Sequence, residues 1–260
     1  MSIWQVFLFG WAIVALMMFL LWLIQLKTKD ASHVDVGWAY GLPILAGLYA
    51  WQADGDEARR ILLAICVAVW GFRLGTYLLL NRVIGKPEDG RYVKLRRDWG
   101  SRANLNFFIF FQAQAIFDIL FSLPFLAVAF NASSQLGALD LIGAMIVAIS
   151  IFGETTADRQ LSRFRADPAN RGKTCRQGLW RYSRHPNYFF EWIHWFAYPF
   201  LAYGSPYFWL SLLGPILMLV FLFKITGIPP TEARAVETRG EDYKNYQRTT
   251  SMFIPWFPKS

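Results

Sequence analysis

Asn187 and Glu191 are four residues apart, one helical turn, where a basic loop runs into an apolar stretch. They end the segment GLWRYSRHPNYFFE, residues 178–191, in which Pro186 suits the first turn of a helix because its missing N–H is not needed there. A carboxylate inside an apolar helix is expensive, so it marks a site by default. Asp158 and Arg165 follow the same logic in ADRQLSRFR, where Glu154 lies one turn before Asp158 as an apolar run ends. Asn81 and Arg82 close TYLLLNR, and Tyr182, Arg184, Arg234 and Tyr243 add aromatic and basic groups near other helix ends. Arginine forks meet two phosphate oxygens at once. Carboxylates and amides beside them suit ribose and carboxamide groups, so these types together suit a nucleotide above an apolar cavity. A basic loop before an ordinary span would explain the arginines, but not Asn187 or Glu191. Neither a G-x-G-x-x-G turn nor a P-loop occurs, which excludes the usual phosphate-binding folds.

The elements that must position these groups are long and apolar. Of 260 residues, 55% are hydrophobic and 17% charged, more apolar than a soluble domain of this length. The expected fold is all-α: a polytopic membrane protein with seven transmembrane helices, ordered cytoplasmic loops and a single membrane-embedded domain over residues 1–260. The spans are expected at 3–26, 36–53, 61–80, 105–130, 136–153, 188–203 and 206–226. The first carries no charge over residues 3–26, enough to cross ~30 Å of hydrocarbon. It has neither a basic start nor a small-residue cleavage site, so it reads as a retained anchor. Loops 27–35, 82–104, 158–186 and the tail 224–260 hold 2, 7, 8 and 6 Lys or Arg, against 2, 0 and 0 in the intervening loops. That bias places the N-terminus outside and the C-terminus in the cytoplasm. The expected location is an integral membrane one, the inner membrane in a bacterium. The net charge of +8 thus reads as topology, and nucleic acid is not an expected partner.

Each polar residue within a span needs a partner. Gln112, Gln114 and Asp140 read as structural contacts between helices, whereas Asp118 either pairs with Arg73 or lines a cavity. Cys66 and Cys175 have no metal or redox spacing, and His33, His185 and His194 are scattered, so no metal is expected. The closing FIPWFP suits an interfacial anchor.

YSRHPNYFFEW, TYLLLNR, ADRQLSRFR and the tail RGEDYKNYQRTTSMFIPWFP together resemble the steroid 5-alpha-reductase family, in its bacterial branch, over roughly residues 30–258. The resemblance implies a seven-span monomer that reduces the carbon–carbon double bond of an enone in a steroid or related lipid with NADPH. It implies cofactor contacts at Asn81, Asp158, Arg165, Tyr182, Asn187 and Glu191, and, on a looser match, at Arg184, Arg234 and Tyr243. At the substrate end it implies catalytic roles for Asp35, in HVDVGWAYG, and for Trp70, which stands where the family has a tyrosine. An indole N–H donates a hydrogen bond but delivers no proton. The proton then comes from water or a tuned side chain. Asp35 would be that acid only if burial kept it protonated; otherwise it orients Trp70, Tyr40 or a water.

RHPxY also occurs in isoprenylcysteine carboxyl methyltransferases and phospholipid methyltransferases. Resemblance to these implies S-adenosylmethionine-dependent methyl transfer to a lipid or prenylated substrate. Those enzymes carry paired glutamates before the tail, while Glu232 and Glu237 are separate here. A non-enzymatic lipid-binding protein is the third reading; it predicts tolerance of Asn81→Ala.

Overall fold

The computed structural model describes residues 1–133 and 135–259. Among them the regular structure is entirely helical. The helices are α1 (Ile3–Thr28), α2 (His33–Gln52), α3 (Glu57–Leu78), α4 (Gly90–Trp99), α5 (Ala103–Ala129), α6 (Ala138–Ala166), α7 (Pro186–Trp195), α8 (Ala197–Leu201), α9 (Phe208–Ser211), α10 (Leu213–Val220), α11 (Ile228–Arg239) and α12 (Glu241–Thr249). Five helical stretches are long and apolar enough to cross a membrane: Ile3–Thr28, Glu57–Val83, Gly90–Ala129, Ala138–Ala166 and Phe208–Arg239. The protein is therefore a polytopic helical membrane protein.

Where the elements differ from expectation, proline explains most of it. The stretch expected as one span over 188–203 is two short helices, α7 ending at Trp195, four residues before Pro199. The expected span 206–226 falls within the apolar helical stretch Phe208–Arg239, where the helix is interrupted at Leu212, between α9 and α10 and shortly before Pro215. In both, the ring meets the carbonyl four residues back and removes a hydrogen bond. Pro43 and Pro124 instead sit inside unbroken α2 and α5. In the other direction, α6 runs for 29 residues and absorbs both the expected span 136–153 and the exit segment ADRQLSRFR.

Two compact units emerge from the chain contacts. The first joins residues 1–140 with 201–213. Its α1 starts on a capping box: Ser2 Oγ accepts from the Gln5 amide while the Gln5 side chain accepts from the Ser2 amide. Its α2 and α3 approach closely along a glycine stripe. A Cβ at Gly71 would lie 2.3 Å from Pro43 Cγ, and one at Gly75 2.5 Å from the Tyr40 ring. Small residues one turn apart permit such contact without hydrophobic drive from water. At one end of this unit Arg59 is buried and donates to both oxygens of Asp140 (2.8 and 3.0 Å) and to the carbonyls of Ser133 and Gln135. Asp140 is thus the structural contact expected of it, as is Gln112, which donates to the Ala15 carbonyl.

The second unit takes residues 141–200 and the chain from 214 on. Here α6 and α7 are antiparallel, because Asp158 meets Asn187 while Ser150 meets His194. Gly153 makes the crossing tight: a Cβ there would lie 2.3 Å from the Phe190 ring.

Candidate functional site

The two hydrogen-bonded rungs between α6 and α7 fix a register. Asn187 Nδ2 donates to Asp158 Oδ1 at 3.3 Å, and His194 Nδ1 lies 3.5 Å from Ser150 Oγ. Glu154 is four residues from both Asp158 and Ser150, and Glu191 lies between Asn187 and His194. Both glutamates are buried and fall at the level between the rungs. Glu191 also accepts from Trp195 Nε1 at 3.3 Å, and His194 Nε2 is 2.6 Å from the Tyr198 hydroxyl. A ladder of polar side chains thus runs down one helix pair: buried Asp158 with half-buried Asn187 at its mouth, Glu154 and Glu191 next, His194 and Tyr198 deepest. Such a surface can bind several hydrogen-bond donors, such as carboxamide and hydroxyl groups.

The loop that leads into α7 is locked by the C-terminal chain. The Arg184 amide donates to the Ser251 carbonyl, Ser183 Oγ to the Phe253 carbonyl, and the Trp256 amide to the Tyr182 carbonyl. Tyr246 donates its hydroxyl to the carbonyls of Trp180 and Ser183. At the centre is Glu232 on α11, a polar helix beyond the apolar stretch that ends near Ile225. Its carboxylate takes Arg184 Nε at 2.6 Å, His185 Nε2 at 3.1 Å and Gln247 Nε2 at 2.9 Å. Burial pushes this carboxyl up, but the bonds from His185, Arg184 and Gln247 outweigh that and hold it at about 2. Arg184 spends its Nη1 on the carbonyls of Gln247 and Thr250. Its guanidinium therefore fastens the loop to α12. Tyr243 joins the cluster through Glu232, at 3.4 Å, and burial raises its hydroxyl above the ordinary tyrosine range.

The expected residues thus fall into groups. Asp158, Asn187 and Glu191 share the ladder; Arg184 and Tyr243 share the Glu232 cluster, beside Tyr182, whose ring meets Phe257 edge-on. Arg165, on the last turn of α6, and Arg234, on α11, are exposed. In the first unit Asn81 lies in a π-helical turn, Leu79–Val83, and donates to the Tyr77 carbonyl. Such bulges recur at functional positions. Asp35 accepts from Arg91 and from the Tyr92 hydroxyl, both at 2.6 Å, with Arg82 at 3.7 Å. Both of its oxygens are thereby engaged in fixing α4 to α2. Trp70 is fully buried, edge-on to Trp38 at 6.5 Å. Of the two readings open for Asp118, a pair with Arg73 or the lining of a cavity, the pair is not the one seen: among the described residues neither of its oxygens has a hydrogen-bond partner.

Sequence reasoning passed over Ser150 and Tyr198, and weighed Glu232 only as a glutamate standing apart from Glu237. The cluster around Glu232 gave no signal because its partners lie 48, 47 and 15 residues away. Ser150 and Tyr198 were findable in principle, since each continues the turn-by-turn spacing of polar residues already visible in Glu154–Asp158 and Asn187–Glu191.

The fold and this ladder define a polytopic helical membrane protein with a polar site built between two of its helices. The chain belongs to the family described as a protein of unknown function, DUF1295, which matches residues 21–250. No curated protein and no solved structure matches it. Among the described residues no group of three or more His, Cys, Asp or Glu side chains is placed to hold a metal ion.

Proposed function

We propose that the protein is an NADPH-dependent reductase of the carbon–carbon double bond in an enone carried by a hydrophobic lipid, a 4-en-3-one steroid giving the 5-alpha product being the first candidate. The observation that carries this reading is the ladder itself: Asp158 and Glu191 are buried carboxylates, with Asn187 donating to Asp158 one turn before Glu191, in a protein whose surrounding loop is rich in arginine. Buried acceptors at that depth suit the carboxamide and ribose of a nicotinamide nucleotide, and arginines suit its phosphates. Hydride would pass to the β-carbon of the enone and a proton would add at the α-carbon. Donors near the carbonyl would stabilise the enolate by about 3–4 kcal/mol each. Arg165, Tyr182 and Arg234 keep their place as cofactor contacts in this reading, while Arg184 and Tyr243 hold the loop that presents Asn187. The resemblance assigns Asn81 to the cofactor and Asp35 and Trp70 to the substrate. With Asp35 engaged by Arg91 and Tyr92, its role is to position, and the proton comes from another group or water. Seven crossings, a monomer, an outside N-terminus and a cytoplasmic C-terminus complete the reading, the last from the lysine and arginine bias.

NADPH should quench the protein's tryptophan fluorescence, and Glu191→Gln should weaken that binding about 10- to 100-fold, the worth of one hydrogen bond to a charged acceptor. Unaltered affinity would remove Glu191 from the site. Incubation with NADPH and a panel of 4-en-3-one steroids, read by mass spectrometry, should yield saturated product. Binding of S-adenosylmethionine in place of NADPH would instead favour the methyltransferase reading.

A further inference from the structure

The first unit holds a carboxyl that the reductase reading does not use. Asp118 lies near the middle of the 27-residue α5, is fully buried, and has no hydrogen-bond partner on either oxygen among the described residues. The nearest hydroxyls do not serve it. Ser122 donates to the Ile119 carbonyl, so the Tyr49 hydroxyl, 2.8 Å from Ser122 Oγ, has its proton committed to that oxygen. Neither hydroxyl has a proton left over.

On its other side Asp118 faces a notch in α2. A Cβ at Gly41 would lie 2.6 Å from Asp118 Oδ2 and 3.2 Å from the Met17 methyl, so only glycine leaves room for the carboxyl. Met17 belongs to α1, the span with the smallest buried share of the five, and is itself half-buried. Beside the carboxyl itself, the side chain nearest the notch is thus that of Met17, an unbranched, flexible thioether, the type that yields most readily to an incoming group. An acceptor with no donor in hydrocarbon is costly, and an ionisable residue at such depth marks a binding function. We infer that Asp118 is the acceptor of a lipid-accessible site which takes the hydrogen-bond-donating end group, a hydroxyl or a primary ammonium, of a hydrophobic molecule admitted when Met17 swings aside. The site rests on residues of α1, α2 and α5 alone, so this inference and the reductase reading can fail separately.

Thermal unfolding of the full chain in detergent tests it. An empty acceptor destabilises, so Asp118→Val and Asp118→Leu should each unfold about 3–6 °C above the native chain. Hexadecanol or hexadecylamine, at equal mole fraction in the micelle, should raise the unfolding temperature of the native chain, and hexadecane should not. Whichever probe acts more strongly tells hydroxyl from ammonium. Neither should act through its donor on the Asp118 variants. The inference is overturned if both variants unfold below the native chain, as they would were Asp118 only bridging a structural water, or if hexadecane stabilises as well as the two donors.

Discussion

Glu232→Ala should lower the stability of the protein by about 3 kcal/mol or more, the usual cost of leaving a buried charge without its partner. The charge left behind is Arg184, buried on the loop before α7, with His185 beside it. For a chain of this length that is a fall of roughly 6–12 °C in unfolding temperature. The effect should also depend on acidity. The fold holds the Glu232 carboxyl at about 2, below its ordinary value of 4.5. A carboxyl depressed in the folded state stabilises fully above its ordinary value and loses that contribution as the pH falls toward the depressed one. The native chain should therefore lose stability between about pH 4.5 and 2, while Glu232→Gln should lose less over the same range. Scanning calorimetry at pH 7, 4 and 2.5 would show it. A parallel acid response in both proteins would mean that the cluster is not coupled to folding. NADPH binding should weaken in Glu232→Ala as well, because the same loop presents Asn187, and the neutral Glu232→Gln should keep more of it.

That cluster also shows why the sequence was legible in some places and mute in others. A carboxylate within an apolar helix stands out locally, so Glu154, Asp158, Asn187 and Glu191 could be picked out without coordinates. The pairing of one helix with another is not local. Only the contacts of Asp158 with Asn187 and of Ser150 with His194 bring Glu154 level with Glu191. Arg184 illustrates the converse. An arginine in a basic loop looks like a phosphate ligand, yet its Nε and Nη1 are spent on Glu232 and two carbonyls of the C-terminal chain. Its type was readable, its partners were not. The apolar stretches located the helices well, but hydropathy is blind to backbone continuity, so the breaks before Pro199 and Pro215 did not register. Proline alone would not have settled them either, since α2 and α5 continue through Pro43 and Pro124, packed against neighbouring helices.

Arg59→Met should be about as damaging as the loss of Glu232. Arg59 joins the start of α3 to the start of α6, and its guanidinium satisfies Asp140 together with the carbonyls of Ser133 and Gln135. Methionine keeps the apolar stem but takes both guanidinium donors from buried Asp140, which keeps the Gly137 amide. The expected loss is about 3–5 kcal/mol. Asp140→Leu alone should lose a similar amount, because it strands the guanidinium instead. The two changes together should cost much less than their sum, since a buried ion pair is often no more stable than an apolar pair of like volume. A double-mutant cycle on detergent-solubilised protein would measure that coupling. Additive losses would show that Arg59 and Asp140 act separately, each through its backbone contacts, and that the pair is not what ties α3 to α6. Because none of these groups belongs to the α6–α7 ladder, NADPH affinity measured well below the unfolding temperature should stay unchanged in all three variants.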